Sequence, residues 1–337
     1  MKKIAIFLAF IIGIVSVLFA GCGGRGSNVI RVNEVTHSIF YSPFYAAINL
    51  GYFEDEGIEI DLVNGGGSDA SMTALLSRSA DIALLGPETG VYVVSGGVQN
   101  APVIFGQLTK RDGSFLIGRV PEPNFQWSDL VGKEIIGGRR GGAPAMSLQY
   151  AVELAGLNVG TGVDQVDINL DVAFTLIVSA FESGQGDYCT MFEPTASQYV
   201  AEGKGYIIAS VGEQSGEVPF TCFMALQSYI NSNQQKVEGF LRAVSRAYNY
   251  LIQANDEQIV AALKPSFSTT ADSLIISSVR NYIAIDAWKS TPVMSQADYQ
   301  RLINIMINAG ELTEAEAPAF GSVVNNTWAE NVMRDMS

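Results

Sequence analysis

Two acidic residues stand in matching local settings. Glu88 in Gly86-Pro87-Glu88-Thr89 and Glu193 in Phe192-Glu193-Pro194-Thr195 each follow an apolar, strand-like run and open an amphipathic stretch. At a helix start, the helix dipole alone favours such a carboxylate by about 0.3–1 kcal/mol. Turned into a cleft, the same pair would accept hydrogen bonds from amino or ring N–H groups and would disfavour a buried anion. Two glycine-rich turns offer the opposite chemistry. Gly65-Gly66-Gly67-Ser68-Asp69-Ala70-Ser71 and Gly137-Gly138-Arg139-Arg140-Gly141-Gly142-Ala143-Pro144 both run from strand into helix. Their backbone N–H groups could hold an anionic or carbonyl oxygen, and Arg139 or Arg140 could add a bidentate fork or simply face solvent. Neither turn is a nucleotide loop, because the Lys-Ser/Thr ending and the Gly-x-Gly-x-x-Gly spacing are both missing. His37 is the only histidine, and no nucleophile signature accompanies it, so it reads as a pocket-lining or polar contact rather than a base. Phe40, Tyr41, Phe44 and Tyr45 crowd one loop and helix start. Tyr41 is expected to offer its ring to a ligand, and Phe44 and Tyr45 to face a core.

These groups must be held by alternating strands and helices. From Val29 onward short apolar runs alternate with amphipathic stretches, the pattern of βαβ units and a mostly parallel sheet. Strands are expected near 29–35, 58–63, 81–85 and 102–107, then near 115–118, 134–136, 166–169, 187–191 and 206–210, and a last one near 219–226. Helices fill the intervals and make up everything after residue 234. The fold class is therefore α/β, with two lobes: 29–108 forms the first part of lobe 1, 109–218 forms lobe 2, and 219–337 returns to lobe 1. Two crossings, near 107–112 and 217–222, would act as a hinge beside a cleft at the carboxyl ends of both sheets, where open α/β sheets bind ligands.

Composition sets the limits. The chain has 337 residues, 48% of them apolar and 16% charged, which suits a folded protein of two domains. A formal charge of -14 argues against nucleic acid as a partner. One His and three Cys, with no Cys-x-x-Cys pair, leave no set for an N/S metal site; no cofactor and no catalytic residue are expected. Cys189 and Cys222 sit in apolar runs and read as free buried thiols. Residues 1–21 have the form of a secretory signal, with Lys2 and Lys3 before a charge-free apolar run. Leu18-Phe19-Ala20-Gly21-Cys22 resembles a bacterial lipobox, with Phe19 where Leu is usual. The resemblance implies acylation of Cys22, a flexible tether over 22–28, and an extracytoplasmic protein held to the cell membrane by its lipid.

The residues from Ser42 to Ile58, containing Gly51-Tyr52-Phe53-Glu54-Asp55-Glu56-Gly57-Ile58, followed by Ser79-Ala80-Asp81-Ile82-Ala83-Leu84-Leu85, carry a family likeness. They resemble the NMT1/THI5-like solute-binding proteins of ABC importers for sulfonates, nitrate, taurine and thiamine-pyrimidine precursors. That resemblance implies a type II periplasmic-binding-protein fold with mixed sheets, a monomer that closes on a small molecule, and delivery to a permease driven by a separate ATPase. The related pyrimidine-precursor synthases carry a Cys-Cys-Cys-Phe-Cys cluster that is missing here, so an enzyme is not expected. His37, Ser38, Tyr41, Ser68, Glu88, Thr89, Arg139, Arg140, Gly141, Glu193 and Cys222 are the expected ligand contacts. Aromatics and acids together favour an amino-bearing N-heterocycle such as a thiamine-pyrimidine precursor. An aliphatic sulfonate, taurine or nitrate is the alternative within this class, and a surface receptor serving a sensor is the alternative outside it.

Overall fold

The computed structural model describes residues 28–336. The expected signal, the lipidated Cys22 and most of the tether lie outside the described residues. Ten strands form two five-stranded sheets. The first has the order β2-β1-β3-β10-β4, with β1 Val29–Glu34, β2 Glu59–Asn64, β3 Ile82–Leu85, β4 Pro102–Thr109 and β10 Thr221–Leu226. The second has the order β7-β6-β8-β5-β9, with β5 Ser114–Gly118, β6 Glu134–Ile136, β7 Asp167–Asn169, β8 Tyr188–Phe192 and β9 Tyr206–Ser210.

The two sheets share one topology. In each, three strands run parallel (β1 with β2 and β3, β6 with β7 and β8). In each, the fourth strand in the order pairs antiparallel with both neighbours and arrives directly from the other sheet: β10 lies between β3 and β4, β5 between β8 and β9. The sheets are thus more mixed than the simple alternation of apolar runs suggests, because alternation reports βαβ connections and is silent on strands supplied from elsewhere. The parallel strands turn their carboxyl ends toward the segments that carry Glu34, Gly65, Glu88, Arg139 and Glu193.

Burial follows periodicity. In the helix Gln234–Leu251, the buried Val237, Phe240, Leu241, Val244, Ala247 and Leu251 recur at helical spacing, so one stripe faces inward. That stripe packs on the helix Ser42–Asn49. Phe240 meets Phe53 at 5.0 Å and Phe223 at 4.9 Å between ring centroids, which places the late helices on the first sheet. Helix starts are chemically marked: Asn255 with Gln258 and Ser295 with Asp298 form reciprocal capping boxes. Phe44 and Tyr45 are fully buried.

The chain passes from β4 to β5 over residues 110–113 and returns from β9 to β10 over 211–220. The first passage runs tight against the Phe40 ring. A Cβ on Gly113 would lie 2.6–2.8 Å from that ring, so only glycine lets the backbone through. Among the described residues no helix is long and apolar enough to cross a membrane.

Cys189 lies in β8 of the second sheet and Cys222 in β10 of the first; both are free and buried, and burial pushes both thiols upward. Thiolate is the reactive form, so neither should react with a maleimide in the native domain beginning after Cys22, and both should react after denaturation. Mass spectrometry before and after unfolding checks this; one native adduct would mean a thiol that reaches solvent.

Candidate functional site

Glu88 and Glu193 occupy equivalent places, each after the third strand of its sheet's parallel set, yet their surroundings differ. Glu88 is 3% exposed. Its side chain folds back over Gly86, where a Cβ would come within 2.1–2.4 Å of the carboxylate oxygens, so Gly86 is what allows this rotamer. Oε1 accepts from the backbone N–H of Ala143 at 3.3 Å, at the start of the helix Ala143–Leu154 in the second unit, the part of the chain built on the second sheet as the first unit is on the first. Oε2 is buried without a hydrogen-bond partner. Burial is the main cause that pushes this carboxyl up to about 7, against the pull of its own backbone N–H, that of Ala143, and the more distant Arg139.

Glu193 is 1% exposed and its oxygens are already engaged. Oε2 accepts from the Ser197 N–H at 2.9 Å, and Oε1 from the Ser197 hydroxyl at 2.8 Å and the Asn281 amide at 2.6 Å. Its backbone is gripped as well: its N–H donates to the Tyr282 hydroxyl at 3.0 Å, and its carbonyl accepts from Ser38 Oγ at 3.3 Å. The expected free acceptor for a ligand is here a clamp between the two units. Its lone pairs serve the start of the helix Thr195–Ala201 and Asn281 from the first unit.

The arginines lie at the surface. Both are exposed, and Arg139, with 60% of its side chain exposed, pairs with Asp69 at 3.3 Å across the gap between the two glycine-rich turns. An exposed arginine already facing a carboxylate is a poor anion cap, and the anion seat at the helix start beyond it is held by Glu88. Cys222 belongs to an apolar cluster with Met72, Leu85 and Met294, so its sulfur packs rather than offers itself to solute.

The remaining expected contacts lie along the seam. Ser68 Oγ accepts from the Gly86 N–H at 3.4 Å, and Thr89 Oγ1 donates to the Gly86 carbonyl at 2.7 Å, so both brace the Glu88 turn. Gly141 accepts at its carbonyl from the Tyr92 hydroxyl at 3.0 Å, another contact between units. Tyr41 is buried with its hydroxyl on Thr221, and its ring stands 5.5 Å from Phe40. Phe40 in turn meets Phe220 at 5.7 Å, Tyr282 at 4.9 Å and, from β8 of the second sheet, Phe192 at 5.7 Å. This makes an aromatic floor shared by both units. His37 sits beside it with Glu34, Tyr45 and Ser266.

Several groups carry no readable local signal. On the first crossing, Asp112 is fully buried, donates nothing and accepts from the Ser114 N–H at 2.7 Å, while its Oδ2 and the hydroxyls of Thr109 and Ser114 lack partners. Burial pushes the Asp112 carboxyl up to about 7. Asn281 and Tyr282 reach the site from a helix some ninety positions after Glu193, and only the fold brings them there. A crevice lined by Pro43, Gln107, Leu241, Tyr248 and Pro292 lies within the first unit, and neither Glu88 nor Glu193 lines it. Among the described residues no group of three His, Cys, Asp or Glu side chains is placed to hold a metal ion.

Comparison with known proteins agrees with this architecture. Residues 39–258 match the family described as NMT1/THI5 like. A Bacillus subtilis relative, "Putative binding protein YtlA", is 38% identical over 303 residues, covering 90% of this chain and 89% of its own. Among solved structures, the alkanesulfonate-binding protein SsuA from Xanthomonas axonopodis pv. citri bound to MOPS superposes with a TM-score of 0.70 at 15% identity, over 90% of this chain and all of its own. The periplasmic nitrate-binding protein NrtA from Synechocystis PCC 6803 gives 0.67 at 14% identity, over 93% of this chain and 90% of its own. At such identities the likeness establishes the periplasmic-binding-protein fold.

Proposed function

Since the chain belongs to the NMT1/THI5-like family, we propose that it is the extracytoplasmic solute-binding component of an ABC importer, anchored by a lipid on Cys22. In this reading the two sheet units, with boundaries near 109 and 219, are lobes that close on one small molecule and present it to the permease. Binding without chemistry on the ligand fits the family.

The favoured ligand is an amino-bearing N-heterocycle, such as a thiamine-pyrimidine precursor. One observation supports it above the rest: Glu88 is buried between the units with one oxygen on the second unit's helix start and the other unpartnered. An N–H of an aminopyrimidine would satisfy Oε2 and favour the ionised form, and the ring would lie against the Tyr41 and Phe40 floor. A sulfonate would instead have to displace Glu88 from the Ala143 N–H and sit beside a buried carboxyl. Ligand contacts made by both lobes then stabilise the closed arrangement over the open one.

A thermal-shift screen of the domain beginning after Cys22 tests this, using thiamine-pyrimidine precursors, flavins, taurine, alkanesulfonates and nitrate. At about 100 times its dissociation constant a ligand adds roughly 2.7 kcal/mol, which moves the melting point by several degrees. The expected result is a shift with the aminopyrimidine. A shift with sulfonates or nitrate alone would place the glycine-rich helix starts, and not Glu88, against the ligand.

A further inference from the structure

We infer that His37, as an imidazolium, is a positioning residue that ties together the two first-unit segments gripping Glu193 of the second unit. Hydrogen counting over four contacts carries the inference. His37 Nε2 lies 2.9 Å from the Ser266 carbonyl oxygen, which can only accept, so Nε2 bears a hydrogen. Nδ1 lies 3.1 Å from Glu34 Oε1 and 2.9 Å from the Tyr45 hydroxyl. The Tyr45 hydroxyl donates its one hydrogen to Glu34 Oε2. With Glu34 ionised, Nδ1 then faces two acceptors, a carboxylate oxygen and a phenolic lone pair, and bears a hydrogen too. A ring with both N–H groups is the cation.

Every element around the ring accords with that charge. β1 contributes Glu34, 1% exposed; the helix Ser42–Asn49 contributes Tyr45, with Tyr41 beyond it; the 264–271 loop contributes the Ser266 carbonyl and the Phe267 ring, 4.6 Å away at 30°. The hydrogen bond to Glu34 is the largest cause that raises the histidine above its ordinary range, against partial burial.

The placement gives the cation its role. His37 directly precedes Ser38, which donates to the Glu193 carbonyl. Ser266 belongs to the loop that leads into the helix Asp272–Ala284, whose Asn281 and Tyr282 hold the Glu193 carboxylate and N–H. One imidazolium thus fastens the roots of both arms. Loss of either ring hydrogen sets Nδ1 against Glu34 as two acceptors or releases Ser266. Because the folded value is raised, this contribution is fully present below the unfolded value, near 6.5, and is lost as pH rises through the folded value.

The consequence for closure rests on the cleft reading above, but the test needs no ligand. In a uniformly 15N-labelled chain without added histidines, His37 supplies the whole imidazole spectrum. Expected are two protonated ring nitrogens at neutral pH, a titration midpoint above about 6.5, and backbone amides of Phe267 and Glu193 that shift with the ring. Glu34→Gln should move the midpoint back toward the ordinary value. If that variant fails to fold, Tyr45→Phe, which keeps the carboxylate contact, should leave the midpoint raised. One bare ring nitrogen at neutral pH overturns the assignment of charge. A raised midpoint with a Glu193 amide that does not follow overturns the link to the clamp, and leaves the ligand proposal to its own screen.

Discussion

Glu88→Gln should make the protein more stable above neutrality and bind an amino-bearing ligand more weakly. The sign follows from linkage. With the folded carboxyl raised to about 7 by burial, the unfolded chain releases its proton first as pH climbs from the ordinary carboxylate range, so stability falls over that window and levels off above 7. A shift of that size corresponds to about 3 kcal/mol. Glutamine keeps an acceptor for the Ala143 N–H and cannot ionise, but its amide hydrogens need partners, which returns part of the gain. The net expectation is about 1–2 kcal/mol above neutrality and a melting point higher by a few degrees. Melting curves across the acid-to-neutral range check this: the wild-type value should decline toward pH 7 more steeply than that of the variant. Loss of a charged acceptor should weaken an aminopyrimidine by roughly ten- to a hundredfold. Parallel pH profiles for the two proteins would mean that Glu88 is hydrated and does not sit between the units.

Glu193→Ala should cost about 2–4 kcal/mol, because it strands the Ser197 N–H, the Ser197 hydroxyl and the Asn281 amide, which the carboxylate now satisfies. The loss has two parts. Ser197→Ala removes the hydroxyl contact at the helix start together with a long acceptance from the Asn281 amide at 3.4 Å, whereas Asn281→Ala removes only contacts between units. A double-mutant cycle of Glu193 with Asn281, followed by urea unfolding, should give a coupling of about 1 kcal/mol or more. An aminopyrimidine affinity that falls with no change in stability would instead return Glu193 to the role of ligand acceptor.

What could be read from the sequence, and what could not, divides by distance along the chain. Strand and helix positions came from local periodicity, and the Glu88 and Glu193 turns stood out because strand ends and helix starts have local signatures. The partner of Arg139 is Asp69, 70 positions away, and those of Glu193 include Asn281 and Tyr282, 88 and 89 positions away. No local pattern links such pairs, so two expected ligand groups turned out to be engaged by protein. Asp112 was invisible for another reason. It lies on a crossing with no repeating pattern, and an aspartate there reads as a solvated turn until the fold buries it. His37 stands out in the sequence as the lone histidine, but its role depends on Ser266.

A crystal structure of the domain with an aminopyrimidine thiamine precursor bound would test the proposed site most directly. The ligand is expected between the two sheets, with an N–H within hydrogen-bond distance of Glu88 Oε2 and its ring against Tyr41, while Glu88 Oε1 stays on the Ala143 N–H. A ligand seated elsewhere, or a sulfonate at the Ala143 N–H with Glu88 swung away, would contradict it.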